Sequence, residues 1–275
     1  MLSPRIKAFL IHLGISLALF LILLYVIVYI WYPPPFFKYD GGWQGIQLII
    51  GVDLVLGPML TLAVFNVKKA RHLLRRDLII IGIVQIGALI AGSWIVADQR
   101  TRLVIFAGDH FVSMTRTLMD ESNISHETLE SLKTRHPAMG YVELPKDPEE
   151  REQFIRENAR ATPIFKRGDL YRPLTNEALI EAAKYGFDLD ETGDAVPELK
   201  SKISDFLTKH GRTSQQVSAI PVYCRYGNPS MVIDRETGEM IDTIGISHDQ
   251  LLSTVIVRNR KLREAQQQSQ ESQNN

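Results

Sequence analysis

The chain has 275 residues, 31 acidic and 31 basic side chains, and a mean hydropathy near zero. The lack of a basic excess argues against a nucleic-acid binder, and a single cysteine, Cys224, excludes an internal disulfide framework or a multi-cysteine metal site. These averages hide two unlike parts: a strongly apolar N-terminal portion, and a remainder long enough for one ordinary folded domain with its own core.

Arg5 and Lys7 precede an uncharged run over 8–32, long enough to cross a bilayer. It ends in Tyr29-Ile30-Trp31-Tyr32 and three prolines, Pro33 to Pro35. An aromatic belt with a stiff exit favours a retained span over a cleaved signal peptide. A second apolar run covers 43–67 and a third covers 78–97. Between them, Lys68, Lys69, Arg71, Arg75 and Arg76 put five positive charges in ten residues. The positive-inside rule then places this loop and the N-terminal tip in the cytoplasm. Everything after Ala97 is expected on the far side, the periplasm of a Gram-negative cell. Gly87 with Ala91, and Ala88 with Gly92, are small-xxx-small pairs suited to close helix approach.

Asp53 interrupts the second run. At 1.5 Å per residue it is about 15 Å from Trp43 and about 20 Å from Val67, close to the bilayer midplane. A carboxylate there costs several kcal/mol unless it is paired, neutral or turned to a polar cavity. Counted from the ends of their own runs, Gln85 and His12 fall in the cytoplasmic third, so they are expected to reach each other but not Asp53. Gly57-Pro58 follows: the proline ring displaces the carbonyl of Leu54, so a kink and a groove are expected beside the acid. An intramembrane protease would need two carboxylates at one depth. Asp53 is the single mid-span acid, with Asp77 and Asp98 flanking the third run at opposite faces.

Beyond the spans, strands are expected over 102–107 and 110–115, around a Gly108-Asp109 turn. Ser125, Asp147 and Thr175 are expected to cap helices running to Arg135, to about Arg160 and to Gly186, and a further helix is expected over 197–210. Three β-rich runs, 220–226, 230–234 and 239–244, are separated by Gly227-Asn228-Pro229 and by Arg235 to Gly238, which predicts a β-meander. Ser247 and Gln250 form a capping box for a last helix whose end is rich in arginine, before a polar, disordered tail. The expected architecture is a three-span membrane domain (1–98), an α+β periplasmic domain (99–265) and the tail (266–275). Whether hairpin and meander share one sheet is not legible. There is no HExxH motif, no G-x-S-x-G elbow and no phosphate-cradling glycine loop. No catalytic residue, cofactor or metal is therefore expected. Asp109-His110 reads as a solvated pair at a turn, and Cys224 as a small buried hydrophobe in a strand.

With these residues identified, the chain resembles the type IV pilin accessory proteins (the TfpX/TfpZ family), bacterial membrane proteins. The resemblance is carried by Asp53-Leu54-Val55-Leu56-Gly57-Pro58-Met59-Leu60-Thr61-Leu62, by Asp77-Leu78, and by Gln85 with Ala88-Leu89. It continues through Arg102, Val104-Ile105-Phe106, Asp109-His110-Phe111, Val232-Ile233-Asp234 and Thr237-Gly238. Two departures are Leu103, where the family tends to have proline, and His110, where it tends to have arginine. The resemblance implies a non-enzymatic, chaperone-like inner-membrane helper of pilus biogenesis. Its implied partners are type IV pilin, the pilus assembly machinery and membrane lipid, with no nucleic acid. Asp53, Gly57, Pro58, Thr61, Asp77, Gln85, Arg102 and Asp109 are the candidate partner-binding or packing residues. Asp53 is the one suited to a cationic or polar group on a partner's membrane helix. A membrane sensor signalling through the Lys68–Arg76 loop is the other reading, and an intramembrane enzyme a more remote one.

Overall fold

A computed structural model describes residues 2–145, 147–159 and 162–257. The chain divides into two compact units, with the break between Thr101 and Arg102.

In the first unit, helix α1 (Pro4–Tyr25) begins at Ser3, whose hydroxyl accepts the Ile6 N–H, and continues as a π-helical segment, Val26–Trp31, until the prolines stop it. A short helix α2 (Phe36–Tyr39) fills the first loop. The second long helix is built from α3 (Gly42–Ile49), a π-helical segment (Ile50–Leu56) and α4 (Gly57–Val64). The third, α5 (Arg71–Asp98), begins at Arg71 rather than at Leu78, because the basic residues extend the helix instead of forming a loop. All three are long and apolar enough to cross a membrane. Side chains such as Ile22, Ile83 and Trp94 face outward, as they do on helices solvated by lipid. Two buried polar contacts tie the first loop to the end of α5: Tyr32 Oη donates to the Val96 carbonyl at 2.8 Å, and the Thr101 hydroxyl donates to Asp40.

The second unit is an α/β fold on a mixed sheet. The strands are β1 (Leu103–Phe106), β2 (Phe111–Met114), β3 (Ala138–Val142), β4 (Tyr171–Pro173), β5 (Val217–Tyr223), β6 (Ser230–Asp234) and β7 (Met240–Ile244). Among the described residues they form one seven-stranded sheet in the order β4-β3-β1-β2-β5-β6-β7. The expected hairpin (β1–β2) and meander (β5–β6–β7) are both present, joined by the parallel pairing of β2 with β5. A second parallel pair, β1 with β3, makes the sheet mixed, and β3 and β4 extend it beyond the expected hairpin and meander. Strand β5 starts at Val217, earlier than expected, because Val217 to Val222 is buried throughout and shows no alternation to mark its ends.

The helices of this unit are α6 (Arg116–Glu121), α7 (His126–Leu132), α8 (Pro148–Ala159), α9 (Asn176–Ala183), α10 (Leu189–Ala195), α11 (Lys200–His210) and α12 over 248–257. Ser125, Asp147 and Thr175 each accept a backbone N–H at a helix start, as their sequence positions predict. Ser247 and Gln250 close the capping box of α12. Helix α10 was not expected, because its sequence is rich in acids and contains Gly193. Asp188 makes it possible by accepting the N–H groups of Asp190 and Glu191 at 2.8 and 3.0 Å. Two apolar clusters cover the sheet, one around Leu103, Ile105, Met114 and Leu132, the other around Leu189, Ile203, Val232 and Ile246. The tail expected over 266–275 and the arginine-rich end of α12 lie outside the described residues.

Candidate functional site

Asp53, Gly57 and Thr61 recur at every fourth position of the second long helix. The structure gathers them with Gln85 of α5 and with His12 and Ser16 of α1. Directly before Pro58 the helix widens into the π-helical segment Ile50–Leu56. Proline lacks an N–H and crowds the carbonyl four residues back, and a wider turn relieves that crowding. The irregularity expected beside Asp53 thus takes the form of a π-helical turn.

Each polar side chain of this cluster has a defined role. Gln85 Nε2 donates to Ser16 Oγ at 3.1 Å and to the Asp53 backbone carbonyl at 3.2 Å, and lies 3.5 Å from Asp53 Oδ1. His12 Nε2 is 2.8 Å from Gln85 Oε1, and His12 Nδ1 is 2.6 Å from Thr61 Oγ1. The bonds close on one another when His12 donates through Nε2 and accepts the Thr61 hydroxyl at Nδ1. Asp53, Ser16 and Thr61 are 2–3% exposed. One atom is left over: Asp53 Oδ2 is buried and has no hydrogen-bond partner among the described residues.

Gly57 makes the crossing possible. A Cβ built on it would lie 2.3–2.5 Å from the Gln85 amide atoms, so any side chain there displaces the amide. The expectation that Gln85 could not reach Asp53 is therefore overturned, while its contact with His12 is found. The count from Leu78 placed Gln85 too near one end. With α5 starting at Arg71, Gln85 falls at the middle of its helix, as Asp53 does between Gly42 and Val64. Ser16 was not anticipated. Its signal is its place one turn after His12 on the same face of α1.

Residues of α1, α5 and the second helix, those of the cluster among them, line a cavity of about 430 Å³. Ile15 and Leu19 of α1 and Leu78, Ile86 and Leu89 of α5 wall it, and Asp53, Thr61 and Gln85 line its polar part.

The other candidates lie elsewhere. Pro58 adjoins the cluster as the second residue of α4. Asp77 lies at the basic end of α5, 2.6 Å from Lys69 Nζ. Arg102, before β1, donates its backbone N–H to the Met114 carbonyl, and its buried Nε has no partner among the described residues. Asp109, at the tip of the β1–β2 turn, is exposed, and its Oδ1 is 2.5 Å from His110 Nδ1. That bond holds the Asp109 carboxyl below its usual range. His110 does not project as a simple solvated residue. It meets Tyr223 edge-on at 4.9 Å, and Tyr223 lies 5.6 Å from His248, so three rings link the β1–β2 turn, β5 and α12. Cys224 is half-buried rather than buried, because β5 ends one residue before it. Among the described residues no three His, Cys, Asp or Glu side chains are grouped to hold a metal ion.

No family model and no solved structure matches the chain. Curated proteins do match. The chain is 32% identical over 113 residues to the fimbrial assembly protein of Dichelobacter nodosus serogroups C1 and C2, across 86% of that protein and 40% of this chain. The chain belongs to the fimbrial assembly protein family. It is also 31% identical to the serogroup I fimbrial assembly protein and 32% identical to that of serogroup E1, in each case over 113 residues. The match spans 44% of the length of these two relatives. Within this chain, the interlocked polar side chains inside apolar helices are the most developed candidate site.

Proposed function

We propose that this protein is a non-enzymatic assembly factor of type IV pili, of the TfpX/TfpZ type, which acts by binding pilin. It resides in the bacterial inner membrane through its three apolar helices, with the Lys68–Arg76 segment in the cytoplasm and the α/β unit in the periplasm. The observation that carries the reading is the 86% coverage of a fimbrial assembly protein at 32% identity. The five cations between the second and third spans support the orientation. The polar cluster supports binding rather than bond chemistry. Asp53 is its single acid, and one carboxylate does not divide the acid and base roles that hydrolysis requires.

In this reading the membrane helices engage the membrane-embedded helix of pilin, the periplasmic unit engages its globular head, and the assembly machinery receives the subunit from this complex. The test is affinity purification of the tagged full chain from native membranes in mild detergent. Pilin is expected to co-purify. Its absence, with the chain intact and pili still formed by the same cells, contradicts the reading.

A further inference from the structure

We infer that the cavity between α1 and α5 is a lateral docking groove for one membrane helix of the pilin partner, and that this helix brings a cationic hydrogen-bond donor to the Asp53 carboxylate. The inference rests on the pilin-binding reading above and specifies where and through what chemistry that contact is made.

Three observations converge on the groove. The first is an unfilled acceptor. His12, Thr61, Gln85 and Ser16 bond to one another, Gln85 serves the Asp53 carbonyl and approaches Oδ1, and Oδ2 is left buried without a partner. A buried carboxylate oxygen inside apolar helices is costly to leave unpaired. Asp53 lines the cavity, and the terminal torsion of an aspartate is soft, so a small rotation can turn Oδ2 towards an incoming group.

The second observation is the shape and lining of the groove. Its rim carries Ile11, Ile15 and Ile86, which are 65%, 58% and 58% exposed, so the groove is flanked by apolar surface against which a second apolar helix can pack. The third is room for a backbone. Gly82 lines the cavity, and a Cβ built on it would meet nothing within 4 Å. A small residue at such a position lets a second helix approach closely.

The identity of the donor follows from charge. A lipid acyl chain fills an apolar groove but donates nothing to Oδ2. A hydroxyl satisfies the oxygen's geometry but brings no positive charge to hold the acid ionised among apolar helices. An ammonium or guanidinium group does both, through a charge-assisted hydrogen bond.

The test uses the full-length chain in native membranes with a photoreactive residue in place of Ile86, at the groove, or of Ile80, on the opposite face of α5. A pilin adduct is expected from position 86 and not from position 80. Asp53→Asn keeps the shape and removes the charge, and should lower the adduct yield by about tenfold. Gly82→Phe fills the groove and should abolish the adduct, while Gly87→Phe, on the far face, should leave it unchanged. Adducts at position 86 with lipid or with the chain's own helices alone overturn the inference. So does equal pilin capture at both positions, or a yield that neither Asp53→Asn nor Gly82→Phe reduces. If pilin still co-purifies with the position-86 variant while the groove captures none, the groove assignment fails and the pilin-binding reading stands. If pilin co-purifies with no form of the chain, both fall.

Discussion

Gly57 and Gln85 show how much one missing side chain can organise. The Gln85 amide occupies the space a Gly57 side chain would need, and from there reaches Ser16 on α1 and Asp53 on the second helix. Interhelical hydrogen bonds of this kind contribute roughly 0.6 to 1.7 kcal/mol each in membrane proteins. Gly57→Ala should push the amide off its partners and destabilise the three-helix unit by about 1–2 kcal/mol. Thermal melts of the purified chain in detergent measure this, and an unchanged midpoint would show that the crossing does not depend on Gly57. Part of the site was legible in sequence. Asp53 stood out as an acid in an apolar run, and Gly57-Pro58 predicted an irregular helix beside it. The Gln85–Asp53 contact was missed for a physical reason. An apolar run ends where charges begin, but a helix continues through arginine and lysine, which are good helix formers. Ser16 carries only a weak signal, its place one turn after His12, and a serine in a membrane helix is not by itself distinctive.

At the scale of elements, capping chemistry was the most readable feature. Ser125, Asp147, Thr175 and Ser247 all begin helices where their side chains predict. Strands β3 and β4 were not read. The first contains Gly140 within five residues, the second is three residues long and ends in Pro173, and both are held by pairing with distant partners that no local pattern encodes. The β6–β7 turn gives a pH test. Asp234 is buried and accepts the N–H groups of Glu236 and Thr237, with Arg212 Nη1 2.9 Å away. Burial pushes its carboxyl up, but those hydrogen bonds and the guanidinium outweigh it and hold it below the ordinary value of 3.8. A group lowered by folding stabilises above its unfolded value, and that contribution is lost as the pH falls through the folded value. The stability difference between the native chain and Asp234→Asn should therefore be constant between about pH 7 and pH 5 and shrink below about pH 4. A difference that grew on acidification would mean that Asp234 is not held in its charged form.

For the whole molecule, the three apolar helices and the change to a soluble composition after them were plain from the sequence. The joining of hairpin and meander into one mixed sheet was not, because parallel pairing of β2 with β5 depends on contacts a hundred residues apart (Phe111 with Val222). Motifs in the second and third helices resembled pilin accessory proteins, and the match to fimbrial assembly proteins fixes the family. What the chain does there reduces to one question, whether pili are built without it. The direct measurement is the number of surface pili, with the amount of cellular pilin, in cells lacking this chain and in the same cells complemented with it. Deletion is expected to cause a marked loss of pili, and complementation to restore them. Unchanged pilus number and pilin level in the deletion would contradict it.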